Sequence, residues 1–254
     1  MPAAFHEEAL KAQAIAARTY TIYTITSSRT HEHAGADICD NFACCQAWIS
    51  QEDRFERWNE GERESNWQRI VDAVNATRGK IIIYNGTIVG AFYHANSGGK
   101  TETVAYVWSG GAGRHPYLQA VAISGEDEYI QYNSEVIISK EEVVTRIRQN
   151  HADIVINFEE ETPIEILGYT AGGRVGEIRF GNVTMAGVEA RRTFGLRSAR
   201  FTVEIIENDV KFHVRGYGHG VGLSQTGADS LARQGYSHEE IIKRFYTGVE
   251  IVDM

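Results

Sequence analysis

The sequence predicts an α+β fold, and three features predict it: a long helical run near the start, hairpins turning over Asn-Gly and Gly-Gly, and no alternation of single strands with single helices. Internal repeats and low-complexity tracts are absent from the sequence. One domain is expected over residues 1–254, with a smaller inserted subdomain at about 125–187.

Residues 6–20 form the first expected helix, because Ala, Leu, Lys, Gln and Arg dominate and neither Gly nor Pro interrupts. Two carboxylates, Glu7 and Glu8, open it where the helix dipole favours negative charge. The helical period places Glu7 above Lys11, Ala14 and Arg18, and Glu8 above Ala12, Ile15, Thr19 and Ile22. Glu7 thus gains a salt partner at i+4, whereas Glu8 heads an apolar stripe. An apolar setting pushes a carboxyl towards its protonated form, the state a general acid needs. Periodicity alone equally allows two first-turn residues that only match the dipole.

Residues 27–48 lack an apolar period, so something other than a core must hold them. They contain His31, His33, Cys39, Cys44 and Cys45, with His33 and Cys39 separated by five residues and Cys39 and Cys44 by four. Three clustered cysteines make a poor disulfide framework, while thiolates and imidazoles suit tetrahedral zinc. Four protein ligands (His33, Cys39, Cys44 and Cys45, with His31 a spare) leave no open position for water, which makes the site structural. Free buried thiols, or one disulfide with a spare, are the plainer alternative.

Next, Ser65 to Gln68 resembles a capping box opening a helix through Trp67, Ile70, Val71 and Val74, which Gly79 ends. Trp48, Trp58 and Trp67 suit either a sugar surface or core positions. Residues 80–84 and 87–93 are hairpin strands over Asn85-Gly86. They run into Ser97-Gly98-Gly99-Lys100-Thr101, whose hydroxyls and N–H groups suit a sugar or acetamido group, or merely a turn. In the inserted subdomain Ser139 caps a helix and residues 164–169 and 175–180 form a hairpin; no chemistry is evident there.

Strands at 201–206 and 210–215 lead into residues 216–228 (GYGHGVGLSQTGA). Four glycines in seven positions demand positive φ angles or close backbone approach. The loop is neither GxxxxGK[ST] nor GxGxxG, because Leu223 stands where a final Gly would fall, so a phosphate cradle is not expected. It can aim Tyr217, His219 and Gln225 at a ligand, or form a structural turn. A helix to Arg233, another capped by Ser237 and Glu240, and a strand at 249–252 complete the chain.

The 254 residues carry a formal net charge of −9, which argues against a nucleic-acid binder. No window approaches the roughly 18 apolar residues of a membrane span, and no signal peptide opens the chain. As given the chain reads as soluble, and any export signal or anchor would lie upstream of Met1.

Residues 8–20 (EALKAQAIAARTY), 97–101 (SGGKT) and 216–228 together resemble the stage II sporulation protein D family, septal peptidoglycan enzymes of endospore formers with an amidase enhancer among their relatives. Residues 191–200 (RRTFGLRSAR) are similar to that family's basic segment before a strand. The resemblance implies one catalytic domain built around a glycan-binding cleft, and a lytic transglycosylase that cleaves the MurNAc–GlcNAc β-1,4 bond and leaves 1,6-anhydro-muramyl ends. The expected setting is septal wall remodelling during engulfment. The implied substrate is glycan denuded by stage II sporulation protein P, an amidase and endopeptidase partner, with the membrane protein stage II sporulation protein M a further partner. The family's catalytic glutamate falls on Glu8. Ser97, Thr101, Tyr217, His219, Gln225 and Arg191 fall on substrate-binding motifs.

Clostridial members are similar in the cysteine loop as well, where a His-x5-Cys-x4-His-Cys set binds zinc; here Cys44 stands in place of the second His. The family's upstream strand and membrane anchor do not precede Met1, so an anchorless or truncated form of an extracytoplasmic, membrane-anchored protein is expected. A single acid suffices, because the sugar's own C6 hydroxyl replaces the nucleophile of an ordinary glycosidase. Two rivals stand beside this reading: a non-enzymatic glycan-binding activator of a cell-wall amidase, and a zinc hydrolase with a catalytic Cys/His loop.

Overall fold

The computed structural model describes residues 1–27, 35–42, 44–108 and 113–254. It is α+β, with helices interspersed among three antiparallel three-stranded sheets among the described residues. The chain forms two compact units: Met1–Tyr93 with Ala228–Met254, and His94–Gly227.

The first unit begins with α1 (Glu7–Thr26), which ends six residues beyond the run of strong helix formers. The extension, residues 21–26, is rich in β-branched residues, and packing just before it and within it, where Thr19, Tyr20 and Thr24 are buried, outweighs their propensity. Thr19, Thr21, Thr24 and Thr26 each donate their hydroxyl to the carbonyl four residues back, so no buried hydroxyl is left unpaired along the helix. Ala12, Ile15 and Thr19 are buried while Glu7 is exposed, which is the face the period assigns. Arg18, on the Glu7 stripe, reaches with its guanidinium the carbonyls of Thr77 (2.7 Å), just past the end of another helix, and of Lys80 (2.9 Å), the first residue of the strand that follows.

Helix α2 (Gln51–Glu56) is capped by Ser50, and α3 (Arg63–Ala76) starts two residues before the expected capping box. Ser65 therefore lies inside α3, where its hydroxyl bonds the Glu62 carbonyl at 3.1 Å rather than capping an end. Strand β1 (Lys80–Tyr84) turns over Asn85 (φ 49°) and Gly86 (φ 75°), the pair of positive angles a type I′ turn requires, into β2 (Thr87–Ile88). β2 is shorter than the expected 87–93, because pairing to β1 lasts only two registers. Strand β3 (Tyr93–His94) carries the chain onward.

In the second unit, β4 (Asn133–Ser139) leads directly into α4 (Lys140–Arg148), capped by Ser139. β5 (Ile164–Tyr169), β6 (Val175–Phe180) and β7 (Val183–Ala186) form one sheet in that order. After α5 (Gly187–Phe194), β8 (Phe201–Ile206) and β9 (Asp209–Arg215) join β4 in the order β4-β9-β8. Val143 and Ile147 of α4, Ile178 and Phe180 of β6, Phe194 of α5 and Phe212 of β9 share one core, with Phe194 stacked on Phe212 at 4.8 Å. Strand β10 (Leu223–Ser224) then precedes α6 (Gln225–Arg233).

The chain completes the first unit with α7 (His238–Phe245), opened by the full Ser237–Glu240 capping box, and β11 (Glu250–Asp253), antiparallel to β1. Ile241, Ile242, Phe245 and Tyr246 are all fully buried. The sheet order is thus β11-β1-β2, and the last residues pair with the middle of that unit.

Candidate active site

Glu8 lies in the first turn of α1 with its side chain 19% exposed. Lys11 Nζ donates to Oε1 at 2.6 Å, and Oε2 accepts both the backbone N–H (2.7 Å) and ring Nδ1 (2.6 Å) of His238 at the start of α7. Burial alone would raise this carboxyl, but the Lys11 ammonium and the two His238 donors outweigh it and hold it at about 2. The apolar stripe predicted the opposite direction. The helical period places the stripe correctly yet cannot foresee donors arriving from 230 residues away. Lys11, expected to pair with Glu7, lies 3.4 Å from it and nearer to Glu8. The His6 ring accepts the Glu8 N–H at 3.3 Å and so caps the helix.

The Ser97 loop belongs to the second unit, and its polar groups are consumed within that unit. Ser97 and Thr101 have no exposed surface. The buried Glu126 carboxylate accepts the Ser97 N–H (2.9 Å), the Gly99 N–H (2.8 Å), the Thr226 hydroxyl (3.0 Å) and the hydroxyls of Ser97 and Ser224. Thr101 donates to the Gln119 carbonyl at 3.0 Å and accepts the Val121 N–H at 2.8 Å. Arg174 binds the carbonyls of Ser97 and Lys100, each at 3.1 Å, while Arg200 binds that of Gly98 at 2.7 Å. Arg174 is buried with Glu102 3.9 Å away, and burial lowers its guanidinium to about 10. Sequence inspection passed over Glu126 and Arg174; their signal was a charged residue beside glycine, which is too common to single out.

The glycine-rich loop has its positive angles, with φ of 82°, 116°, 84° and 72° at Gly216, Gly218, Gly220 and Gly222. The close approach is to the protein itself. A Cβ on Gly216 would meet the Asn96 carbonyl at 2.9 Å, on Gly218 the His94 side chain at 2.7 Å, and on Gly220 the Arg174 guanidinium at 1.9 Å. Tyr217 emerges from this mesh 44% exposed, with the Arg197 guanidinium 5.2 Å from its ring centre. The His219 ring packs between His94 (5.4 Å) and Trp108 (5.0 Å), and its Nδ1 accepts the Val221 N–H at 3.0 Å. Burial, with the charges of His219 and Arg174, keeps His94 neutral, its pKa well below the usual imidazole range. Arg191, on α5, donates Nε to the Leu196 carbonyl at 3.3 Å, and burial lowers its guanidinium. Gln225, half-buried, opens α6. A separate cavity of about 610 Å³ in this unit is lined by Arg200, Arg215, Glu135, His213 and Tyr169 among others, and by none of the predicted residues.

The sulfurs of Cys39, Cys44 and Cys45 lie within 4.8 Å of one another, all as free thiols. The Cys44 and Cys45 sulfurs are 3.9 Å apart, close to the ~3.8 Å edge of a zinc–thiolate tetrahedron with 2.3 Å bonds. The three thiols therefore fit a metal. His33 and the spare His31 lie outside the described residues.

Residues 1–84 match a family model described as Stage II sporulation protein. The chain is 30% identical to stage II sporulation protein D of Bacillus subtilis (strain 168) over 252 residues, which is 99% of this chain and 70% of that protein. The protein of the same name from Bacillus amyloliquefaciens is also 30% identical, with the same two shares. The amidase enhancer of Bacillus subtilis is 25% identical over 99% of this chain and 39% of its own length. With the α+β fold, these likenesses define a sporulation protein with a cell-wall function. The chain belongs to the stage II sporulation protein D family.

Proposed function

We propose that this protein is a lytic transglycosylase of the sporulation septum, cleaving the MurNAc–GlcNAc β-1,4 bond of denuded glycan to leave 1,6-anhydro-muramyl ends. The observation that carries the reading is the Glu8 carboxylate, fixed at both oxygens by Lys11 and His238. In this mechanism Glu8 protonates the leaving oxygen, then takes the proton of the C6 hydroxyl as that oxygen attacks C1. One positioned carboxyl thus serves twice, where an ordinary glycosidase needs two.

Tyr217, His219, Gln225 and Arg191 are the proposed glycan contacts, with hydroxyl, ring, amide and guanidinium groups suited to a sugar. Ser97 and Thr101 contribute by fixing the loop backbone, their hydroxyls being bonded within the protein. Cys39, Cys44, Cys45 and His33 hold a structural zinc, whose bonds would replace the core that the cysteine loop lacks. One catalytic domain, with residues 125–187 as an inserted subdomain, acts outside the cytoplasm on strands stripped by stage II sporulation protein P, with stage II sporulation protein M as membrane partner. Among the described residues no helix is long and apolar enough to cross a membrane.

Mass spectrometry of denuded glycan digests tests this. Glu8→Gln is expected to lose about 10²- to 10⁴-fold in anhydro-product release. Undiminished release by that variant overturns the assignment. The likeness to an amidase enhancer favours one second reading, a non-enzymatic activator, which predicts amidase stimulation that survives Glu8→Gln without any anhydro product.

A further inference from the structure

A general acid must hold a proton when substrate arrives, yet Glu8 is bonded at both oxygens by donors that favour its carboxylate. Lys11 is bound to Oε1 and keeps its charge, because its own ammonium is further stabilised by Glu8. The contact to Oε2 is of another kind. A carboxylate oxygen only accepts, so at 2.6 Å the His238 Nδ1 must carry hydrogen. The backbone N–H of residue 238 bonds the same oxygen whatever the side chain, so the ring adds a second, titratable donor.

We propose that His238 holds, on Nδ1, the proton that Glu8 exchanges with the glycan. The proposal rests on the transglycosylase reading and deepens it. In the acid step His238 acts as imidazolium: its Nδ1–H bond breaks as an Oε2–H bond forms, leaving a neutral ring with its hydrogen on Nε2, and Glu8 passes a proton to the glycosidic oxygen as the C1–O bond breaks with its electron pair. The C6 oxygen then bonds to C1. Its proton returns to Glu8 and thence to Nδ1, so no external acid or base is consumed. His238 acts through Glu8 and is a positioning residue.

The charged groups around the pair are accounted for. Glu7 and Lys11 lie on α1, and His6 precedes it; Asp229 of α6 accepts the His6 N–H and is itself paired with Arg233. On α7, Glu239 pairs with Lys243 and with Lys80 of β1, and Glu240 is tied to Ser237. These neighbours are matched among themselves, leaving Lys11 and His238 as the partners of Glu8 among the described residues.

The test compares wild type, His238→Asn and His238→Ala in the full chain, with denuded glycan as substrate. Asn places an amide N–H where Nδ1 lies but stores no proton. His238→Asn is expected to lose tenfold or more in kcat at pH 7 with KM unchanged, and to regain rate as the pH falls and solvent protonates Glu8. A wild-type pH profile for His238→Asn overturns the proposal. NMR titration of the Glu8 carboxyl and the His238 ring nitrogens gives a readout independent of turnover. Coupled titration of the two groups in wild type, with the Glu8 pKa raised in His238→Ala, supports a shared proton; independent titration overturns it. If wild type itself releases no anhydro product, the transglycosylase reading falls, and the NMR titration alone decides whether the proton is shared.

Discussion

Ser97 and Glu8 are both polar residues in motifs of the chain, but they stand in opposite relations to solvent. The Ser97 hydroxyl is buried against Glu126, so Ser97→Ala leaves a buried carboxylate short of a donor. A stability loss of about 1–3 kcal/mol is expected, read from denaturant unfolding. Glu8 contributes through its ionised form. Its folded pKa is about 2 against an ordinary value of 4.5, so its contribution is complete above pH 4.5 and fades as pH falls towards 2. The stability difference between wild type and Glu8→Gln is therefore expected to be constant near neutrality and to shrink in acid, as measured by thermal unfolding across pH. Sequence reading located Glu8 on the buried face of α1, because a 3.6-residue period needs only neighbours. Its donors arrive from His238, and no local pattern encodes a contact across that separation.

At the scale of elements, local chemistry was the legible part. Ser139 and Ser237 cap their helices as read, and Asn85-Gly86 turns as its dipeptide demands. The start of α3 was misplaced because a capping-box pattern also fits a serine that bonds backwards inside a helix. Strand β4 escaped notice because none of its residues is fully buried and the exposed Ile137 breaks the apolar–polar alternation, and β7 because it spans only four residues. For the glycine loop, the demand for glycine was legible but its beneficiary was not: the backbone approaches Asn96, His94 and Arg174. Two substitutions separate crowding from backbone strain. Gly195→Ala, at φ 67° with nothing within 4 Å of the new carbon, is expected to cost about 1 kcal/mol. Gly220→Ala, which drives a carbon into the Arg174 guanidinium, is expected to cost several times that in denaturant unfolding.

For the molecule as a whole, the zinc prediction is the broadest. Elemental analysis is expected to find one zinc per chain, and a strong chelator to lower Tm together with metal content. Cys45→Ser should do the same, since it removes one of three converging thiols. Activity that vanished on chelation with Tm unchanged would instead favour a catalytic metal.

The pairing of β1 with β11, and of Glu8 with His238, also bears on the order in which the chain is made and folded. Synthesis delivers α1 long before the groups that fix its carboxylate, which come with residue 238, and before the strand beside β1, which begins at residue 250. Such distant pairings form late and slowly, because the intervening chain must be closed first. A nascent chain therefore carries Glu8 without the His238 donors until α7 is made. The fixed geometry of the Glu8 carboxylate is acquired only once α7 has been made and has folded beside α1.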